Sequence, residues 1–117
     1  MGQRHENVIA WQRADDLFIE IHQLTKRCFP PEERFELSSQ IRRAAYSVPA
    51  NIVEGLVRRT RGDRARFLNI AEASLAEVAY CLHAAKRLGY IEQVSYAKLD
   101  SKVKQVWAPL AGLIRSV

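Results

Sequence analysis

Residues 40–55 read Gln-Ile-Arg-Arg-Ala-Ala-Tyr-Ser-Val-Pro-Ala-Asn-Ile-Val-Glu-Gly. Together with Leu37 and Leu56, the apolar positions Ile41, Ala44, Ala45, Val48, Ile52 and Gly55 recur three and four residues apart. That spacing lines one face of an α-helix and does not fit the alternation of a strand. A helix is therefore predicted from about Glu36 to Arg61. Pro49 falls inside the pattern, where it removes one backbone hydrogen bond and predicts a kink, or a split near Ser47. Gly62 followed by Asp63 reads as a helix stop and then a fresh N-cap.

Working outward, the same period appears three more times. Trp11, Ala14, Leu17, Phe18, Ile21, Leu24 and Cys28 form one stripe, with Asn7 as the expected N-cap and Pro30-Pro31 as the stop. A third helix is expected over residues 63–88, with Lys86 and Arg87 at its negative end and Gly89 just beyond it. The fourth, residues 94–117, carries Tyr96, Leu99, Val103, Val106, Trp107, Leu110, Ile114 and Val117 on one side, with Pro109 placed where it can bend the helix. No strand pattern and no internal repeat interrupts these segments. Four helices with short connections predict an all-α, antiparallel four-helix bundle in one domain, 1–117, with residues 1–6 as a flexible lead.

The third helix is broadly apolar. On a wheel, Phe67, Leu68, Ile70, Ala71, Leu75, Val78, Ala79, Cys81, Leu82 and Ala85 cover about half its circumference. Ala73, Ala76, Tyr80 and Ala84 make the opposite side only weakly polar. A surface helix of a small monomer carries a narrower stripe. A homo-oligomer is the expectation; a helix enclosed by its own bundle is the alternative.

Charge is concentrated. The chain holds 18 Lys and Arg against 13 Asp and Glu. Residues 42–66 contain seven arginines against Glu54 and Asp63, a local excess of five that equals the net charge of the whole chain. Such an excess recruits anionic partners. Arg58, Arg59, Arg61, Arg64 and Arg66 are the candidate nucleic-acid-binding residues, with Arg42 in second rank. Lys98, Lys102 and Lys104 are expected on the outer face of the fourth helix.

A polar stripe accompanies the basic segment. Gln40, Arg43, Ser47, Asn51, Glu54 and Arg58 fall within an arc of about 80° on a continuous helix. Arg43, Ser47, Asn51 and Glu54 are assigned to a structural hydrogen-bonded network; a ligand-facing row is the alternative.

Other chemistry is not indicated. His5, His22 and His83 form no HxxxH or HExxH pattern, so no metal site is expected. No nucleophile elbow or histidine relay is present, so the chain is not expected to be an enzyme, to need a cofactor or to take a small-molecule substrate. Cys28 and Cys81 stand apart on helical faces and read as free buried thiols. The polar start of the chain lacks the apolar centre of a secretory signal, and no apolar run approaches the ~20 residues of a membrane span. A cytoplasmic protein without a membrane partner is expected.

The run Gln40 to Gly55 resembles the signature of the four-helix-bundle proteins encoded in intervening sequences of bacterial 23S rRNA genes. Trp11 with Ala14 and Leu17, Phe29-Pro30 before Glu33, Phe67-Leu68-Asn69-Ile70-Ala71 with Ser74-Leu75 and Glu77, and Leu88-Gly89-Tyr90-Ile91 extend the resemblance over about residues 6–117. Val53 departs from the family's usual Ala. The family is similar to the accessory protein of diversity-generating retroelements, a basic five-subunit ring that engages reverse transcriptase and nucleic acid. The resemblance implies a ring-like homo-oligomer, a pentamer. Residues and resemblance together predict a non-catalytic RNA- or DNA-binding, or nucleoprotein accessory, protein whose contacts are phosphate-directed and weakly sequence-specific. The alternative is a scaffold whose basic end docks an acidic protein.

Overall fold

The structure, a computed structural model, describes residues 8–117. Four helices follow one another: α1 (Ile9–Cys28), α2 (Leu37–Val57), α3 (Arg61–Arg87) and α4 (Gln93–Arg115), with a single 3-10 turn at Pro31–Glu33. No strand occurs among the described residues. The helices form a four-helix bundle in which α1 packs on α2 and α4, and α3 packs on α2 and α4.

Each apolar stripe turns inward. Leu17 and Ile21 of α1, Ile41, Val48 and Ile52 of α2, Leu68, Leu75, Val78 and Leu82 of α3, and Val103, Val106 and Leu110 of α4 are fully buried. Ala14, Ala44, Ala45, Ala71 and Ala85 fill the space between them and let the helix axes close up. Every buried side-chain nitrogen or oxygen among the described residues has a partner.

The helix ends depart from the expected ones in specific ways. Val8 occupies the N-cap position of α1 and supplies no side-chain cap, while Asn7 lies outside the described residues, as do residues 1–6. α2 ends at Val57, four residues early. Thr60 caps α3 instead of Asp63: its hydroxyl accepts from the Asp63 amide at 3.1 Å, so Gly62 and Asp63 belong to the first turn of α3. Pro49 does not split α2, which runs through it as one helix with the proline ring buried. α3 closes as expected. Gly89 takes φ 81°, its amide bonds the Lys86 carbonyl at 3.0 Å, and the Tyr90 amide bonds the Ala85 carbonyl at 2.9 Å. This is the glycine-terminated helix end in which a left-handed residue turns the chain.

Cys28 is exposed, against expectation, because in the last turn of α1 Thr25 and Phe29 take the inward positions. Cys81 is buried. Burial, and secondarily the charge of Glu77, pushes its thiol up to about 11. The end of the bundle that holds Cys28 is tied by Tyr90, whose hydroxyl donates to Glu33 Oε2 at 2.6 Å and whose ring lies 5.6 Å from that of Phe29. The Glu33 bond, then desolvation, then the charges of Glu33, Glu32 and Glu36 push the Tyr90 phenol up to about 12.

These thiol and phenol environments have measurable consequences. At pH 8 a maleimide should modify Cys28 within minutes and leave Cys81 until the protein unfolds, because only the thiolate reacts; intact-mass spectra taken before and after guanidinium check this. Tyr90→Phe should lower the melting temperature at neutral pH. The folded phenol titrates higher than the unfolded one, so the hydrogen bond stabilises the fold fully below about pH 10 and is lost as pH rises through about 12. The melting difference between the variant and the wild type should shrink over that window.

Candidate nucleic-acid interface

The short α2–α3 connection, residues 58–60, gathers the arginines at one end of the bundle. Their environments differ. Arg58 Nη2 pairs with Glu54 Oε2 at 2.5 Å, and its guanidinium lies 4.6 Å from the centre of the Phe67 ring. Arg66 approaches the same ring at 4.5 Å and Asp63 at 3.7 Å. Arg64 Nη1 donates to the carbonyls of Arg58 at 3.3 Å and Arg59 at 3.0 Å, so it binds the backbone just beyond the end of α2. Arg59 and Arg61 are exposed and have no side-chain partner among the described residues.

Arg42 stands elsewhere. Its Nε donates to Thr25 Oγ1 at 2.6 Å, which bridges α2 to α1. Sixteen residues of helix at 1.5 Å each place it about 24 Å along the axis from Arg58. Of the three lysines on α4, Lys102 pairs with Glu20 and Lys104 with Asp100, while Lys98 is exposed.

The polar stripe of α2 resolves into three separate groups. Gln40 Nε2 donates to Glu77 Oε2 of α3 at 2.6 Å, and Arg43 Nη2 reaches Gln40 Oε1 at 3.3 Å. Further along, Ser47 Oγ accepts from Ser74 Oγ of α3 at 2.7 Å and from Asn51 Nδ2 at 2.9 Å. Asn51 Nδ2 also meets the Ser47 carbonyl at 2.8 Å, in the stretch that Pro49 interrupts. Glu54 shares neither group; it pairs only with Arg58, and the two side chains are 47% and 42% exposed. Ser74 and Glu77, the α3 partners, carry no periodic signal of their own. Their trace in the sequence is the family resemblance, which includes Ser74-Leu75 and Glu77 but does not pair them with α2.

α3 is not enclosed by the bundle. Leu68, Ala71, Leu75, Val78, Cys81, Leu82 and Ala85 face inward, whereas Ile70, Ala73, Ala76 and Tyr80 do not: all four are exposed, Tyr80 at 69%. Among the described residues no group of three or more His, Cys, Asp or Glu could hold a metal ion. No helix among them is long and apolar enough to cross a membrane.

A four-helix bundle with one arginine-rich end is the class of protein that fold and surface define. The model of the 23S rRNA-intervening sequence protein family matches residues 6–112, and the chain belongs to that family. It is similar to a solved structure from Bacteroides thetaiotaomicron VPI-5482, described as a protein of unknown function from the S23 ribosomal protein family. The two share 26% identity and a TM-score of 0.84 over 92% of this chain and 96% of the other. No curated protein matches the chain.

The grouping of the polar stripe separates two substitutions that sequence alone would equate. Ser47→Ala leaves the half-buried Ser74 hydroxyl without its acceptor and the Asn51 amide with only the residue-47 carbonyl, and should cost about 1–2 kcal/mol. Glu54→Ala removes an exposed i, i+4 pair and should cost no more than about 0.5 kcal/mol. Urea unfolding of both variants, compared at equal m-value, checks the order.

Proposed function

We propose that this protein is a non-catalytic, oligomeric nucleic-acid-binding accessory protein that grips phosphate with its arginine end. The observation that carries the reading is the arginine-rich turn: five arginines against Glu54 and Asp63, with Arg59 and Arg61 exposed and uncommitted. The guanidinium fork matches phosphate geometry in a bidentate way. Arg58 and Arg66, held over Phe67, are positioned in advance, which limits the entropy lost when they bind. Such contacts read the backbone and not the bases, so sequence preference should be slight.

The proposed assembly is a ring-like homo-oligomer of antiparallel bundles, a pentamer by family resemblance, working in the cytoplasm. The antiparallel reading is supported by partner numbers that fall along α3 as they rise along α2: Gln40 with Glu77, Ser47 with Ser74, Arg58 with Arg64. The oligomer is supported by the exposed Ile70, Ala76 and Tyr80 of α3. A scaffold docking an acidic protein is the second reading. It is favoured by the commitment of Arg58, Arg64 and Arg66 to contacts within the chain, which leaves two free guanidiniums per subunit at this turn.

The test is retardation of RNA and DNA at low salt, with the solution mass measured by light scattering alongside. Wild-type protein should bind both polymers, and log affinity should fall linearly with log salt. Arg59→Gln with Arg61→Gln should weaken binding and flatten that slope by about one unit for each phosphate no longer neutralised, with the oligomer intact. These two are better probes than Arg64, whose removal would also unpair carbonyls at the end of α2. Absence of retardation by any nucleic acid turns the reading to the acidic protein partner, and a mass near 13.4 kDa at micromolar concentration removes the ring.

A further inference from the structure

Between α1 and α2 lies an open groove of about 360 Å³, lined on its sides by Trp11, Phe18 and Tyr46, with Asp15 and Glu54 among them. Its composition differs from the arginine end. The rings of Phe18 and Tyr46 meet edge to face, with centroids 5.8 Å apart and an interplanar angle of 69°. Tyr46 is 59% exposed although it is large and half apolar. Asp15 is half-buried and makes no hydrogen bond or ion pair among the described residues. Glu54 Oε2 accepts from Arg58, and its other oxygen has no partner among them.

Aromatic faces carry negative charge density and attract cations. A carboxylate beside them adds a charge-assisted hydrogen bond to an ammonium or guanidinium group. The same carboxylates penalise other guests: a plain apolar side chain would strip water from Asp15 without replacing its hydrogen bonds, and a phosphate would be repelled. The volume accommodates a four-carbon stem with a charged head. We propose that this groove takes a lysine or arginine side chain from a basic segment of a protein partner. The assignment does not depend on nucleic-acid binding at the arginine end, because its recognition rests on Asp15, Phe18 and Tyr46; Glu54, paired with Arg58, borders both surfaces. The assignment makes the chain a two-sided adaptor, with anionic polymer at the α2–α3 turn and basic protein at the α1–α2 groove.

The experiment uses the full chain carrying Trp107→Phe, so that Trp11 is the only indole, and titrates it at low salt with a hexa-arginine peptide. Trp11 emission should change on binding, and a hexa-serine peptide should leave it unaltered. Asp15→Asn and Tyr46→Ala should each weaken the arginine peptide roughly three- to tenfold. Tyr46→Phe, which keeps the ring, should retain binding and serves as the folded control, as does circular dichroism of every variant. Arg59→Gln with Arg61→Gln, which weakens nucleic-acid binding on the proposed function, should not weaken the arginine peptide. Three outcomes overturn the proposal. Asp15→Asn and Tyr46→Ala bind the peptide as the parent does. A single-stranded oligonucleotide, and not the peptide, perturbs Trp11 through Tyr46, which assigns the groove to a nucleobase. Or Arg59→Gln with Arg61→Gln changes both Trp11 emission and the solution mass without peptide, which assigns it to a second copy of this chain.

Discussion

At Gly55 the backbone of α2 comes directly against α3. A Cβ on this residue would stand 3.1 Å from Leu68 Cγ and Cδ2 and 3.3 Å from the Arg64 carbonyl oxygen. A larger residue there would push on Leu68, which is fully buried, and on backbone that cannot yield cheaply. The closeness sets the rest of that end. With the two helices in contact just before α2 stops, three residues suffice to connect them, and Thr60 caps the second helix at once. Ala44, Ala45 and Ala71 are buried with them in the same core.

Bringing those helix ends together forces like charges into one small volume. The chain relieves the repulsion with contacts of its own. Glu54 meets Arg58, Asp63 approaches Arg66, and Arg64 turns its guanidinium onto two carbonyls. The Phe67 ring accepts two guanidiniums, at 4.6 and 4.5 Å. Each contact is modest in water, because exposed ion pairs and exposed cation–π pairs are worth only about 0–1 kcal/mol. Together they fix where the cations stand without cancelling them, since only two carboxylates are present for five guanidiniums.

Helix identity is legible in the sequence because burial of one face imposes its period on the chain, and α1 to α4 each carry that period in their buried residues. Ends are less legible. Thr60 and Asp63 can each act as a cap; Thr60 wins because Asp63, three residues on, supplies the amide that its hydroxyl needs. Cys28 continues the α1 stripe in number but not in space, because Thr25 and Phe29 take the inward positions on either side of it. Pro49 has more than a turn of helix on both sides, and the neighbouring turns carry the break. The polar stripe is visible on α2, and Ser74 and Glu77 belong to the family resemblance, but their pairing with the stripe is not legible, since the period of one helix says nothing about its register against another. Arg42 lies near the other arginines in the chain, but an unbroken helix converts that separation into distance.

The count of uncommitted guanidiniums bears on how such a surface can work. On the proposed reading, the two of each chain, Arg59 and Arg61, would neutralise about two phosphates, and a salt dependence of roughly −0.9 per phosphate would then give a shallow slope and weak binding for a single chain. Useful affinity on the proposed reading has to come from repetition. Copies held rigidly around an axis present the same pair of guanidiniums at fixed intervals, so the second contact is made at the effective concentration set by the assembly, not by free diffusion. Under that proposal the exposed apolar side of α3 and the sparse free charge of the α2–α3 turn answer one requirement: a surface too weak alone would become sufficient if α3 joined copies of the chain.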